Sequence, residues 1–191
     1  MAPIVIPDPS LVLLVGAAGS GKSSLAARLF AVDEIVSSDT LRGVVGGDEA
    51  DQAVSRLAFR ILHRTVDRRL HNGQLTVVDA TNAVAAHRSP LVRRAIAAGI
   101  PLVAIVLDLA PPVVHAQNAR RARVVDAAVV DRHLAAIRAT VDGRHLEAEG
   151  FALVILLRSP EETAALTIRR RVSHRSTPAS RAGGDADEHP A

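Results

Sequence analysis

Gly16-Ala17-Ala18-Gly19-Ser20-Gly21-Lys22-Ser23 fills every fixed position of the pattern G-x-x-x-x-G-K-[ST]. In such a loop, glycines let the backbone N–H groups turn inward around phosphates, and a flexible ammonium reaches the β- and γ-phosphates. Lys22 is the only lysine in the chain; every other basic side chain, histidine apart, is arginine. Arginine's rigid fork suits that position less well, so lysine stands where its particular chemistry matters.

The setting fits the pattern. Leu11-Val12-Leu13-Leu14-Val15 precedes it as a short apolar run, the mark of a buried parallel strand. Ser24-Leu25-Ala26-Ala27-Arg28-Leu29-Phe30 follows it as a helix. Five apolar segments read as strands: Leu11 to Val15, Glu34 to Ser37, Leu75 to Asp79, Leu102 to Asp108 and Ala152 to Leu157.

Helical patterns separate them, at Asp48 to His71, Val84 to Ala98, Pro112 to Arg121, Asp126 to Thr140 and Pro160 to about Ile168. On the first, Arg56, Arg60, Arg64 and Arg68 recur every four residues away from the apolar face, a pattern that reads first as plain solvent exposure. Strands alternating with helices imply an α/β fold, a parallel sheet with helices on both faces. One domain is expected over residues 1–168, and a disordered tail from Arg169, where periodicity gives way to Arg, Ser, Pro, Gly and acidic residues.

The composition narrows the chemistry. With no cysteine, disulfides and thiolate metal sites are excluded, and the eight histidines lack metal-ligand spacing. Apolar stretches such as Pro101 to Leu107 are too short to span a bilayer. Met1 to Ser10 carries prolines and Asp8 where a secretory signal needs an apolar core, so a cytoplasmic protein with no membrane association is expected. The net charge of +3 hints only weakly at a polyanionic partner.

Four elements carry candidate chemistry. In the loop, Gly16, Ala17, Ala18, Gly19, Ser20, Gly21, Lys22, Ser23 and Ser24 form the nucleotide cradle, with Ser23 as the hydroxyl ligand of Mg²⁺. Asp39, in Ser37-Ser38-Asp39-Thr40-Leu41-Arg42-Gly43, leaves the second strand at its carboxyl end, where parallel sheets bind ligands. It suits a carboxylate accepting a hydroxyl proton, with Arg42 positioning a phosphate; the alternative is a helix N-cap with Arg42 in its first turn.

Asp79 ends the third strand before Ala80-Thr81-Asn82 and suits water-mediated Mg²⁺ binding, or else this turn serves only to organise and cap the next helix. Arg120, Arg121 and Arg123 suit a mobile lid closing over the nucleotide, or a solvated basic turn.

Together with Asp48-Glu49-x-Asp51-Gln52 and Glu149-Gly150-Phe151, these elements make the chain from Leu11 to Leu166 resemble the kinase module of bacterial polynucleotide kinase-phosphatases of RNA repair, P-loop kinases of the AAA-type ATP-binding family. The resemblance implies the three-layer P-loop NTPase fold. It also implies ATP- and Mg²⁺-dependent transfer of the γ-phosphate to the 5′-hydroxyl of RNA or DNA. Asp39 would be the general base, Arg42 would contact the acceptor and lid arginines would touch ATP.

This chain has Gln117 where that lid tends to carry an arginine, leaving Arg120, Arg121 and Arg123 for the role. The repair enzyme continues into phosphatase and ligase-like modules, so a repair role here would call on separate proteins. Only Phe30, Phe59 and Phe151 are available for base stacking, which keeps two alternatives open: a kinase of a small-molecule or other hydroxyl acceptor, and an ATP-binding switch.

Overall fold

In a computed structural model that describes residues 2–46 and 52–172, five parallel strands form one sheet. In chain order they are β2 (Leu11–Gly16), β3 (Ile35–Ser37), β4 (Thr76–Asp79), β5 (Leu102–Leu107) and β6 (Leu153–Leu157), and their order across the sheet is β3-β4-β2-β5-β6. Every residue of β2, β4 and β5 is buried. Successive strand side chains point to opposite faces, so both faces of the central sheet are covered. This is the anticipated three-layer arrangement.

The cover comes from α1 (Lys22–Leu29), α2 (Ser38–Val45), α3 (Gln52–His71), α4 (Ala85–Ala97), α5 (Pro111–Ala119), α6 (Ala127–Asp142), α7 (His145–Ala148) and α8 (Pro160–Ala165). On α3 the apolar stripe Ala58, Leu62, Val66 and Leu70 is buried at helical spacing. Strand β2 lies between β4 and β5, so the chain leaves it at the sheet's centre, where the strand order reverses. That is where a doubly wound sheet opens a crevice for ligands.

Two elements depart from the sequence expectation. Strands β1 (Ile4–Asp8) and β7 (Ile168–Val172) pair in parallel as a separate two-stranded sheet, from Ile4 opposite Ile168 to Asp8 opposite Val172. The helix expected to reach Ile168 ends at Ala165, and Arg169 to Val172, assigned to the tail, are paired strand. Residues 173–191 of that tail, and the start of the helix expected from Asp48, lie outside the described residues.

Pro7 and the Arg169-Arg170-Arg171 run hid these strands. Proline and charge are both acceptable on a strand with an open edge, as each of these has. Arg170 fastens the pair to the body of the fold, donating from Nη1 and Nη2 to Glu34 at 2.7 Å each.

Arg88, fully buried, ties α4 to α7. It donates to the Asn82 carbonyl at 2.8 Å and pairs with Glu149 through both Nε and Nη2. Glu149 belongs to the Glu-Gly-Phe segment quoted above, and its carboxylate compensates a guanidinium removed from water.

Candidate functional site

Gly16 ends β2, and the next five residues turn back into α1, whose first residue is Lys22. Gly19 and Gly21 adopt φ of +85° and +92°, a region that side chains rarely enter. At Gly19 space is also short, since a Cβ there would lie 2.8 Å from Asn118 Cβ. The loop therefore closes against α5, and the N–H groups at the start of α1 face a cleft of about 820 Å³.

Lys22 and Ser23 line that cleft with Asp39, Arg42, Asp79, Arg121 and Arg123, so all four candidate elements meet there. Ala18, Gly19, Ser20, Gly21 and Ser24 line it as well; Gly16 and Ala17 support it from behind, and Arg120 is not among its lining residues. Arg28 joins the lining, giving five cations against the carboxylates of Asp39 and Asp79. That excess suits a polyanion such as a triphosphate.

Lys22 donates from Nζ to the Ala17 carbonyl at 2.7 Å. Burial pushes its pKa down from 10.5 to about 8, with Arg121 adding to the fall and Asp79 opposing it. Ser23 Oγ donates to Asp79 Oδ2 at 2.7 Å, joining a hydroxyl in the first turn of α1 to a carboxylate at the end of β4. Among the described residues no group of three or more His, Cys, Asp or Glu is placed to hold a metal. A hydroxyl beside one carboxylate, both hard oxygen donors, fits Mg²⁺, which takes its remaining ligands from phosphates and water.

Asp39 and Arg42 form an ion pair on α2, three residues apart. Ser37, not Asp39, is the cap, accepting from the Thr40 N–H at 3.4 Å, so Asp39 is not needed to cap the helix. The Asp39 side chain is 58% exposed. Arg42 is the more enclosed partner; burial and then the nearby Arg123 lower its pKa.

At the third element, different residues face the cleft and shape the turn. Asp79 turns to Ser23, while Thr81 and Asn82 organise the turn: the Thr81 carbonyl accepts from the Gly16 N–H at 3.1 Å, and Asn82 Nδ2 donates to the Leu14 carbonyl at 2.8 Å. Val84 precedes α4 without any side-chain cap.

The arginines of the basic segment lie in the connection between α5 and α6, between two helices as the sequence suggests; α5 stops at Ala119, two residues before the end expected at Arg121. Buried Asn118 clasps it: Nδ2 donates to the Val125 carbonyl at 2.7 Å, and Oδ1 accepts the Val125 N–H at 3.1 Å. Below the clasp, His115 Nε2 lies 2.8 Å from Asp131 Oδ1, joining α5 to α6.

Sequence patterns gave no sign of Asn118 as a clasp, nor of His133 and Arg28 in the cleft. His133 reaches it from α6, with its pKa lowered by burial and then by Lys22, Arg132 and His87. Arg28 donates to the Thr163 and Leu166 carbonyls at 2.5 and 2.8 Å, fixing α8 beside the loop. Periodicity marks His133 and Arg28 only as polar positions on helices; what selects them is the packing of distant elements.

Ser20 Oγ, Gln117 Oε1 and His133 Nδ1 are buried with no hydrogen-bond partner, and all three residues line the cleft. Orphaned polar atoms gathered on one cavity fit a polar ligand.

A family model described as an AAA domain matches residues 11–144. No curated protein matches the sequence. Among solved structures, one of the Pnkp1/Rnl/Hen1 RNA repair complex is 20% identical with a TM-score of 0.64, covering 72% of this chain and 47% of its own. This chain thus spans about half the length of that relative. A sugar kinase from Janibacter sp. is 20% identical with a TM-score of 0.56, covering 81% of this chain and 90% of its own. A gluconokinase from Sinorhizobium meliloti is 15% identical with a TM-score of 0.51, covering 84% and 89%. Among the described residues, no helix is long and apolar enough to cross a membrane.

Proposed function

The chain belongs to the AAA domain family, and on that premise we propose that it is an ATP-dependent phosphotransferase, moving the γ-phosphate of ATP to a hydroxyl, first of all the 5′-hydroxyl of RNA or DNA. The observation that carries this is the convergence of Asp39 and Arg42 on the cleft lined by Lys22, Ser23 and Asp79. A nucleotide switch needs the second set alone; a carboxylate facing the phosphate loop adds a place for a proton to go.

ATP lies along the loop with its phosphates on the N–H groups of residues 17–23. Lys22 exchanges the Ala17 carbonyl for phosphate oxygens, and Arg121 and Arg123 close on the γ-phosphate from the lid. Ser23 and Asp79 would hold Mg²⁺, Asp79 through water; when bound, the ion neutralises charge on the β- and γ-oxygens. Asp39 releases Arg42 to a phosphate and accepts the acceptor's hydroxyl proton. That oxygen bonds to the γ-phosphorus as the bond to the β-phosphate oxygen breaks, leaving ADP.

The resemblance carried by the sequence and the likeness to the repair-complex structure support a polynucleotide end as acceptor. A small polyol or sugar is the second reading, favoured by the near-complete coverage of the sugar kinase and gluconokinase. The test is Asp39→Asn. It should bind ATP normally while losing about 10²-fold or more of the transfer rate. Undiminished transfer to every acceptor would remove Asp39 from the mechanism.

A further inference from the structure

Helix α3 carries Arg56, Arg60, Arg64 and Arg68 on its exposed side. Among the described residues, the side chains of these four arginines make no hydrogen bond or ion pair. The only acid on α3, Asp67, pairs with Arg94 of α4 at 2.9 Å. Like charges four residues apart repel, and Arg56 lies near the helix's positive N-terminal end, so the stripe works against the helix that bears it. A polyanion would reverse that repulsion.

The stripe has a direction. Ser55 lines the phosphate-transfer cleft, Arg56 is the next residue, and the arginines then climb away from the cleft one turn at a time. At about 1.5 Å per residue, successive arginines are spaced roughly 6 Å along the axis, and Arg56 to Arg68 spans roughly 18 Å. Beside them stand Phe59, exposed despite its size, and His63, their ring centroids 6.4 Å apart and tilted. Cationic side chains at roughly the spacing of a chain of phosphates, next to an exposed Phe59 backed by the half-buried His63, are the components of a single-strand binding surface.

We propose that the exposed face of α3 is the track for the polynucleotide acceptor, with Arg56, Arg60 and Arg64 on successive phosphates downstream of the 5′ end and Phe59 with His63 supporting a base. This rests on the polynucleotide acceptor proposed above. A membrane surface is a poorer occupant, because the apolar face of α3 is committed to the core through Ala58, Leu62, Val66 and Leu70.

The test uses the full chain and a 12-nucleotide single-stranded RNA with a free 5′-hydroxyl and a 3′ fluorophore, read by anisotropy across a salt series. Arg56→Gln/Arg60→Gln/Arg64→Gln should weaken binding at least tenfold and flatten the log–log salt dependence by about 2, at about 0.7 per phosphate contact on a single strand. ATP affinity and the phosphorylation of a nucleoside 3′-monophosphate should stay unchanged, which also certifies the fold. Phe59→Ala should cost several-fold without changing the slope.

Wild-type affinity and slope in the triple variant would overturn the track. So would displacement of the RNA by poly-glutamate as readily as by unlabelled RNA, which would mark a surface for acidic proteins. RNA held through the arginines but never phosphorylated would sink the acceptor reading and leave the track standing. RNA phosphorylated normally by a triple variant with wild-type binding would do the opposite.

Discussion

Replacing Lys22 by methionine should make the ligand-free protein more stable while removing its ability to hold ATP. Lys22 is 9% exposed, and burial lowers its pKa from 10.5 to about 8. At about 1.4 kcal/mol per pH step, keeping its charge inside the fold costs roughly 3 kcal/mol. Methionine removes that cost but strands the Ala17 carbonyl, which accepts from Lys22 at 2.7 Å, a loss of about 1 kcal/mol. The net gain is about 2 kcal/mol, or roughly 5 °C in Tm for a chain of this size.

The pH dependence identifies the cause. The folded pKa lies below the unfolded one, so between about 8 and 10.5 the unfolded chain holds the extra proton and stability rises with pH; below about 8 the full cost is present. The sequence isolates this window, because there is no second lysine, no tyrosine and no cysteine to titrate within it. Urea unfolding at pH 7.5, 8.5, 9.5 and 10.5 should show stability climbing by up to about 3 kcal/mol in the wild type and staying flat in Lys22→Met. A variant less stable than wild type, or one with the same pH slope, would refute the reasoning.

Glu149→Ala should destabilise the fold by about 3 kcal/mol, lowering Tm by roughly 10 °C, because it leaves the fully buried Arg88 without its carboxylate; differential scanning calorimetry reads this directly. Gly19→Ala, at φ +85° and with its Cβ pressed 2.8 Å from Asn118 Cβ, should weaken ATP binding at least tenfold in a fluorescent-nucleotide titration. Asn118→Ala breaks both bonds to Val125, about 1 kcal/mol each. Transfer should slow by up to about tenfold with a smaller change in the ATP KM, and equal loss in both would argue against a lid role for the clasp.

The five-stranded sheet was legible because parallel central strands are buried on both faces and therefore read as unbroken apolar runs. The phosphate loop was legible because its glycines and lysine answer to local backbone geometry. Asp39 and Asp79 stood out for a topological reason: one follows and the other ends a strand whose carboxyl end opens on the crevice.

Strands β1 and β7 escaped notice because an isolated two-stranded sheet with open edges tolerates Pro7 and Arg169 to Arg171, the signals that argue against strand elsewhere. The end of α5 at Ala119 also escaped, since its stop depends on the Asn118–Val125 clasp across seven residues and on no helix-breaking residue. In the sequence, Gln117 stands out only as a departure from the arginine that the family's lid tends to carry. Its buried, unpartnered Oε1, like the Nδ1 of His133, becomes conspicuous only once the cleft is assembled.

Transfer of phosphate to a hydroxyl through the Lys22 and Asp39 cleft is tested most directly by incubating γ-labelled ATP and Mg²⁺ with 5′-hydroxyl RNA, 5′-hydroxyl DNA and gluconate in parallel, using the wild type, Lys22→Ala and Asp39→Ala. Label should appear on a polynucleotide 5′ end and be abolished by both substitutions. Label on none of the acceptors, with slow Lys22-dependent ATP hydrolysis indifferent to Asp39, would contradict it and leave a nucleotide-binding switch.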